Sequence, residues 1–302
     1  MSRSTQIGLG SLTLASFQGG NNRLELDFER GLYALNGSYQ SDLLSLPGFT
    51  YSRTGAATAA DLSGGVVNFA ANAPRRTNAG LLFETVRTNF IRRSQDLDNV
   101  LWIPTGTVTR TANHALAPDG TMTATRVQQG PVASLIGDVA TGAPASTPVI
   151  VSFWAKGVSA GQIIATRSGA SGAAVPHTLT TSWQRFTWAF TSHATAEVLQ
   201  FTNNGWGGGT STAAATQDAH IWGAQFEVGT TVSSYIPTAG ASVARGLDVA
   251  AITAPSGVST YTALYGPGAG TTVSGSVTPG ASFDLVTGRP WLGSYLRRLT
   301  MR

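Results

Sequence analysis

Residues 148–156, PVIVSFWAK, and residues 183–191, WQRFTWAFT, are the two stretches that decide the fold class. In an extended chain, Val151 and Phe153 share one face of the first stretch, and the polar Ser152 points to the other. The second stretch places an aromatic side chain at every second position from Phe186 onward. This period of two predicts antiparallel strands with one packed face, arranged as two layered sheets.

Further strands are predicted around these two at the spacing of a sandwich. Five stretches show this signal: TVTRT (107–111), TATRVQ (123–128), QIIATR (162–167), EVLQFTN (197–203) and AHIWGAQFEV (219–228). The 36 glycines and 13 prolines leave few uninterrupted stretches for long helices. The sequence therefore predicts an all-β protein.

The composition excludes several classes of protein. The 302 residues are enough to bury a core, and 42% hydrophobic residues exclude overall disorder. Cysteine is absent, so disulfides, thiolate nucleophiles and cysteine-ligated zinc are excluded. The first seventeen residues hold no apolar run long enough for a signal peptide or a membrane span, so no membrane insertion is expected.

Basic residues are almost all arginine, since Lys156 is the only lysine, and the net charge is +4. Arginines cluster over residues 75–93 and again over 289–302. A GC-rich genome is one explanation of this composition; contacts with acidic polysaccharide, nucleic acid or neighbouring subunits are others. Lysine-rich flexible arms are missing, so no nucleic-acid partner is expected, and we interpret both clusters as subunit contacts.

The chain divides into three regions. Residues 1–95 carry short apolar stretches between turns, and we expect an assembly region of short strands and ordered loops without a core of its own. Its first twenty residues are either a docking arm or a disordered tail. Residues 96–248 carry the sandwich. Residues 249–302 are expected to form a small C-terminal β module or assembly contact.

Four segments together resemble a family of phage structural proteins. They are GLLFETVRTNFIRRSQDLDNVLW (80–102), VSFWAKG (151–157), SWQRFTWAF (182–190) and IWGAQFEVGTTVSSYIPTAGASVARGLDV (221–249). In that family, found as tail fibres and as head spikes of tailed phages and gene transfer agents, a linker like the first segment precedes a jelly roll similar to carbohydrate-binding modules. The resemblance covers about residues 24–250, and its closing segment is the most specific part.

The resemblance implies a jelly-roll β-sandwich on the surface of a phage-like particle, assembled in the host cytoplasm. Its partners would be host capsular polysaccharide or lipopolysaccharide, together with capsid or other virion proteins. Copies would assemble as a homo-oligomer, a trimer or a pentamer. The chain ends about fifty residues after the closing segment, which leaves no room for the long β-helix of depolymerase tailspikes. A binding spike or fibre is therefore favoured over an enzyme.

A glycan site is predicted in the stretch FTNNGWGGGTST (201–212). Sugar rings stack on aromatic faces while their hydroxyls pair with amides, and Trp206 follows Asn203 and Asn204 within a glycine-rich loop. The alternative is that Trp206 folds back to cap the sandwich. Trp154 is a second candidate, as it lines the outer face of its sheet or else belongs to the core. Trp188 and Trp222 are interpreted as core residues.

Metal and catalytic sites have weaker signals. Carbohydrate-binding jelly rolls often hold a structural calcium, and Asp98 and Asp119 are its candidate ligands. Asp96 and Asp98, two residues apart, are alternatively turn formers at the entrance to the domain. The four histidines show no metal spacing. Residues 157–161 match G-x-S-x-G, but strands on both sides predict a hairpin turn instead of a nucleophile elbow. No cofactor beyond the possible calcium is expected.

These observations predict a virion structural protein, a head spike or fibre subunit, that adsorbs to host surface polysaccharide through its jelly roll. One alternative is a purely structural spike base or adaptor that binds only other virion proteins. A less favoured alternative is a polysaccharide-cleaving enzyme, supported only by scattered carboxylates such as Asp96 and Asp98.

Overall fold

The computed structural model describes residues 23–130, 134–168, 174–193, 196–203 and 216–302. Within these ranges the chain forms strands and one turn of 3-10 helix, Leu43–Ser45, and no α-helix. The predicted all-β class is confirmed. The first nine strands are β1 (Leu24–Asp27), β2 (Leu32–Leu35), β3 (Ser38–Gln40), β4 (Phe49–Ser52), β5 (Ala57–Ala60), β6 (Val66–Phe69), β7 (Arg75–Thr77), β8 (Gly80–Leu82) and β9 (Arg87–Asn89).

The remaining strands continue in chain order. They are β10 (Ile103–Thr105), β11 (Val108–Ala115), β12 (Ala124–Gln129), β13 (Leu135–Thr141), β14 (Pro148–Gly157), β15 (Ile163–Ser168), β16 (Val175–Thr178), β17 (Gln184–Thr191), β18 (Ala196–Thr202), β19 (Gln217–Val228), β20 (Val243–Arg245), β21 (Val249–Thr253), β22 (Thr260–Tyr265), β23 (Thr271–Ser276), β24 (Ser282–Asp284) and β25 (Tyr295–Met301).

Strands β10 to β19 form two five-stranded antiparallel sheets. One has the order β11-β12-β19-β14-β17, and the other has the order β10-β13-β18-β15-β16. Counting β12 to β19 as strands one to eight, the first sheet runs one-eight-three-six and the second two-seven-four-five. This is the jelly-roll order, with β11 and β10 added as edge strands. The predicted jelly-roll sandwich is therefore confirmed.

The core between the two sheets follows the predicted alternation. Val151 and Phe153 of β14 are fully buried there, and Phe153 meets Phe201 of the facing sheet edge to face, with ring centroids 4.9 Å apart. Trp102 stacks on the other side of Phe201 at 5.6 Å. The sequence missed β10, β13 and β16, since Gly137 and Asp138 interrupt the apolar pattern of β13.

The G-x-S-x-G stretch connects the two sheets. β14 ends at Gly157 and β15 begins at Ile163, and these strands belong to different sheets. The hairpin prediction was therefore wrong, because the loop crosses the sandwich instead of joining neighbouring strands. A strand also follows the loop where a nucleophile elbow requires a helix. Ser159 accepts a hydrogen bond from Gln162 Nε2 at 3.2 Å.

The two terminal regions form one module with its own core. β25, near the C-terminus, pairs with β1, β22 and β8, so residues from both ends share one sheet. β21 likewise pairs with β4. Leu24, Leu26 and Phe83 pack with Trp291 and Leu299 in a cluster separate from the sandwich core. Residues 23–95 therefore share one core with residues 250–301 and have none that is separate from it.

A buried ion-pair network ties this module to the sandwich; we call the boundary the seam. Glu84 Oε2 lies 2.5 Å from Arg75 Nη1 and 3.1 Å from Arg245 Nη1. Arg75 also pairs with Asp248, which in turn lies 3.3 Å from Arg53 Nη1. The loop after β19 joins this network, because Ser234 N donates to Glu84 Oε1 at 2.8 Å.

The arginine clusters are used within the chain. Besides Arg75, the first cluster includes Arg92, whose Nη2 lies 2.5 Å from Asp138 Oδ1. In the C-terminal cluster, Arg297 Nε donates to Glu29 Oε1 at 2.8 Å. The interpretation of both clusters as subunit contacts is therefore corrected for these residues, because their guanidinium groups are engaged by carboxylates of the same chain.

Candidate functional site

A bulge in β11 borders a polar pocket at the edge of the sandwich sheet. Thr111 pairs with Arg126 and Ala115 with Ala124, so β11 holds two extra residues between these pairs. Asn113 lies in the middle of the bulge with φ of 51°, a left-handed conformation that asparagine tolerates better than most residues. The bulged segment moves away from β12 and leaves a pocket of about 340 Å³.

Polar side chains make up almost all of the lining of this polar pocket. The lining residues are Gln95, Asp96, Asp98, Ala112, Asn113, Thr123 and Thr125. The first three come from the segment between β9 and β10, which Arg110 holds in place. Arg110 Nη1 donates to the carbonyls of Leu97 and Trp102, at 2.9 and 2.7 Å. The pocket wall is therefore fixed to the sandwich.

The two carboxyl groups of the polar pocket influence each other. Burial and contact with the Asp96 carboxylate raise the pKa of Asp98 above its usual value. Asp98 Oδ1 is enclosed and has no hydrogen-bond partner in the described structure. Asp98 therefore releases its proton less readily than a free aspartic acid does.

The polar pocket can recognise hydroxyl groups. Its amide, carboxyl and hydroxyl side chains supply both donors and acceptors, which sugar hydroxyls require. Trp222 lies beneath the pocket and donates its indole N–H to Thr123 Oγ1 at 3.0 Å. No aromatic face is among the lining residues that the structure describes. Sequence reasoning considered Asp96 and Asp98 here but missed Gln95, Asn113, Thr123 and Thr125, since no motif marks a bulge.

The predicted glycan-binding loop lies mostly outside the described residues. Trp206 and Asn204 belong to that undescribed part. Asn203 is described and is buried at the end of β18. Its Nδ2 donates to Gly130 O at 2.7 Å, and its Oδ1 accepts from Ser134 N at 3.2 Å. These bonds fix neighbouring backbone, so the structure places Asn203 in the fold and leaves its amide little capacity for a sugar.

Trp154 lies on the outer face of its sheet, as one alternative predicted, but it is covered. Its ring meets Trp222 and Tyr235 edge to face, with centroids 5.3 and 5.7 Å away. The Arg185 guanidinium lies 4.4 Å from the centroid of the same ring. Trp222, which was predicted to be a core residue, is fully buried, but it packs with Trp154 and Tyr235 on the outer face and not between the two sheets.

The candidate calcium ligands occupy different surroundings. Asp119 Oδ1 accepts from the backbone N and the hydroxyl of Thr121, at 3.0 and 2.6 Å, so this carboxylate stabilises a turn, a role that the sequence analysis did not consider for it. Asp98 lines the polar pocket. Over the described ranges, no group of three or more His, Asp or Glu side chains is placed to hold a metal ion.

A histidine pair lies on the same outer face. His114, at the end of the β11 bulge, has Nδ1 2.9 Å from His220 Nε2, and the two rings are 5.1 Å apart. Burial lowers the pKa of His220 to about 4, and nearby Lys156 and His114 act in the same direction.

Among the residues with described structure, no helix is long and apolar enough to cross a membrane.

No family model matches this sequence, and no curated protein matches it. Matches were found among solved structures. The enzymatically active domain of tailspike protein 4 from bacteriophage CBA120 aligns over 46% of this chain and 21% of its own, with 16% identity and a TM-score of 0.33. The CBM22-1–GH10 modules of Clostridium thermocellum xylanase 10B align over 51% and 30%, with 15% identity and a TM-score of 0.32.

A third match has wider coverage. The tandem CBM22-1–CBM22-2 domains of Xyn10C from Paenibacillus barcinonensis align over 71% of this chain and 90% of their own, with 10% identity and a TM-score of 0.34. The chain spans less than a third of the tailspike and xylanase 10B chains. At these scores the matches assign the chain to no family.

Proposed function

We propose that this protein binds glycans through its jelly-roll sandwich, and that it does so as a surface subunit of a phage-like particle, a head spike or fibre that adsorbs to host polysaccharide. The polar pocket carries the glycan part of the proposal: amide, carboxyl and hydroxyl groups converge there on a cavity open to sugar hydroxyls. The particle context is supported by the four sequence segments that resemble phage spike and fibre proteins.

Affinity at one polar pocket is expected to be weak. Stacking on an aromatic ring supplies much of the energy of sugar binding, and the described lining of the pocket has none. A homo-oligomeric spike with several copies of the pocket compensates for this weak affinity, because after the first contact each further one is made at a high effective concentration. Weak sites in many copies suit reversible adsorption to a polymer that repeats the same sugars.

The test measures binding to an array of bacterial capsular polysaccharides and lipopolysaccharides. Asn113→Gly keeps the left-handed backbone of the bulge and removes the amide, so it is expected to weaken binding at least about fivefold, the value of one hydrogen bond of about 1 kcal/mol. Asn36→Gly is the matched control, because Asn36 has φ of 49° and lies in the exposed turn between β2 and β3. Equal loss in both variants, or no loss in Asn113→Gly, contradicts the assignment of the pocket.

The proposal assigns no catalytic step. Shortening of the polysaccharide during incubation would replace it with a cleaving enzyme. Failure of the folded protein to bind any glycan, with binding only to other virion proteins, would instead favour a spike base or adaptor.

A further inference from the structure

A second pocket lies at the seam between the sandwich and the terminal module. It has a volume of about 150 Å³, smaller than the roughly 300–1,000 Å³ of most ligand pockets, so it fits one small group. Trp154 and Arg185 form its sandwich side. The rest of the lining includes Glu84 and Ser233 of the seam network and the apolar side chains of Val66, Leu82 and Val232.

The Arg185 guanidinium in this seam pocket is only partly engaged. Its Nη2 donates to Ser152 Oγ and to Ser233 O, both at 2.9 Å. Its Nε is enclosed without a hydrogen-bond partner, and both hydrogen bonds that the structure shows for this guanidinium come from Nη2. Burial lowers the pKa of Arg185 to about 10, so the group stays charged at neutral pH. Stacking on Trp154 fixes its orientation.

The charges of the seam do not balance. Its guanidinium groups belong to Arg53, Arg75, Arg185 and Arg245, and its carboxylates belong to Glu84, Glu227 and Asp248. Glu84 and Asp248 are in ion-pair contact with the other three arginines and not with Arg185. Glu227 accepts from Ser233 N at 3.1 Å and from its hydroxyl. Arg185 makes no direct ion pair within the described residues, and Glu227 and Glu84 compensate its charge only from beyond ion-pair distance. Four guanidinium groups and three carboxylates leave one excess positive charge at the seam, which a bound anion would balance.

We propose that the seam pocket binds the carboxylate of an acidic sugar residue, with Arg185 Nη1 as its donor. A monoanion restores the charge balance, and a planar carboxylate suits a guanidinium group. Val66, Leu82 and Val232 line the same space and offer apolar contacts to the C–H groups of a sugar ring. This site is separate from the polar pocket, so it adds an acidic component to the glycan that the protein recognises.

The experiment titrates the full-length protein with sodium D-glucuronate, sodium acetate and D-glucose at matched ionic strength, followed by calorimetry and by tryptophan fluorescence. Glucuronate is expected to bind and to raise the unfolding temperature, while glucose does neither. Binding of acetate as well shows that the carboxylate alone is recognised, and weaker acetate binding shows a contribution from the ring. Absence of any glucuronate or acetate effect on the wild-type protein overturns the proposal.

Variants locate the site. Arg185→Met keeps much of the side-chain volume and removes the charge, and is expected to weaken glucuronate binding at least about tenfold. Arg126→Met is the matched control, because Arg126 pairs with Asp218 on the same sheet and is absent from the pocket lining. Arg185→Lys, which retains the charge, replaces Arg185→Met if that variant does not fold, and is also expected to bind more weakly. Unchanged glucuronate binding in a folded Arg185 variant overturns the proposal, and Asn113→Gly is expected to leave this binding intact.

Discussion

Glu84 connects three groups of the seam, so a single substitution there is expected to destabilise the protein. Burial alone would raise its pKa, but Arg245, Arg75 and the Ser234 hydroxyl more than offset this, so its pKa is held below the usual value. Glu84→Gln removes the charge and leaves two buried guanidinium groups with less compensation. The free energy of unfolding is expected to fall by about 3 kcal/mol, measured by urea denaturation at pH 7.

The matched control is Glu29→Gln. Glu29 pairs with Arg297 at 2.8 Å near the surface, where such a pair is worth at most about 1 kcal/mol. Because a lowered carboxyl pKa stabilises the native state above the unfolded pKa, the Glu84 contribution is lost as the pH falls through the folded pKa. A Glu84→Gln variant as stable as Glu29→Gln at pH 7 would show that the buried network contributes little.

His220 gives the native protein a second dependence on pH. Its folded pKa of about 4 lies below the unfolded value of about 6.5, so protons bind preferentially to the unfolded chain between these values. Stability is therefore full above about pH 6.5 and decreases as the pH falls toward 4. His220→Gln removes this titration. Urea denaturation at pH 7 and at pH 4.5 is expected to show a smaller loss in the variant, and equal losses would refute the assignment.

At the scale of elements, the bulge in β19 shapes the outer face of the sandwich. Ser152 pairs with Gln225 and Trp154 with Trp222, so one extra residue of β19 lies between these pairs. Gly223 takes φ of 67° there, and a Cβ added to it would lie 2.8 Å from Trp154 Cε3. Only glycine combines this backbone with so close an approach of the indole ring.

Gly223→Ala is therefore expected to destabilise the protein by about 2–3 kcal/mol, through backbone strain and displacement of Trp154. Gly161→Ala is the control for strain alone. Gly161 has φ of 83° with no atom near the position of a Cβ, so its cost is expected to be about 1 kcal/mol. Thermal unfolding of both variants separates the two effects, and equal costs would mean that the contact with Trp154 is unimportant.

Strand prediction succeeded where local alternation reports burial and failed where the structure depends on irregularity. The alternation of Val151 and Phe153 identified β14, and the aromatic series identified β17. The β11 bulge beside the polar pocket leaves no such pattern, because what marks Asn113 is its positive φ angle, which the sequence does not show. The sequence could therefore predict the sheets but not the pocket that they support.

At the scale of the whole molecule, the terminal module could not be predicted from local sequence patterns. Leu24 and Leu26 pack beside Leu299, which follows them by more than two hundred and seventy residues. No local signal specifies that β1 pairs with β25, so neither terminal region, taken by itself, predicts a core. The ion pairs of the seam could not be predicted for the same reason, since Arg75 and Asp248 are far apart in the sequence and meet only in the folded protein.

Glycan recognition is the central claim, and it is tested most directly with the intact protein and a polymer. The protein is mixed with capsular polysaccharides and lipopolysaccharides from a panel of bacteria, and each mixture is separated by size-exclusion chromatography before and after prolonged incubation. We expect co-elution with at least one polymer of unchanged length, reduced in Asn113→Gly and retained in Asn36→Gly. No co-elution across the panel, or a polymer that shortens with time, would contradict the account.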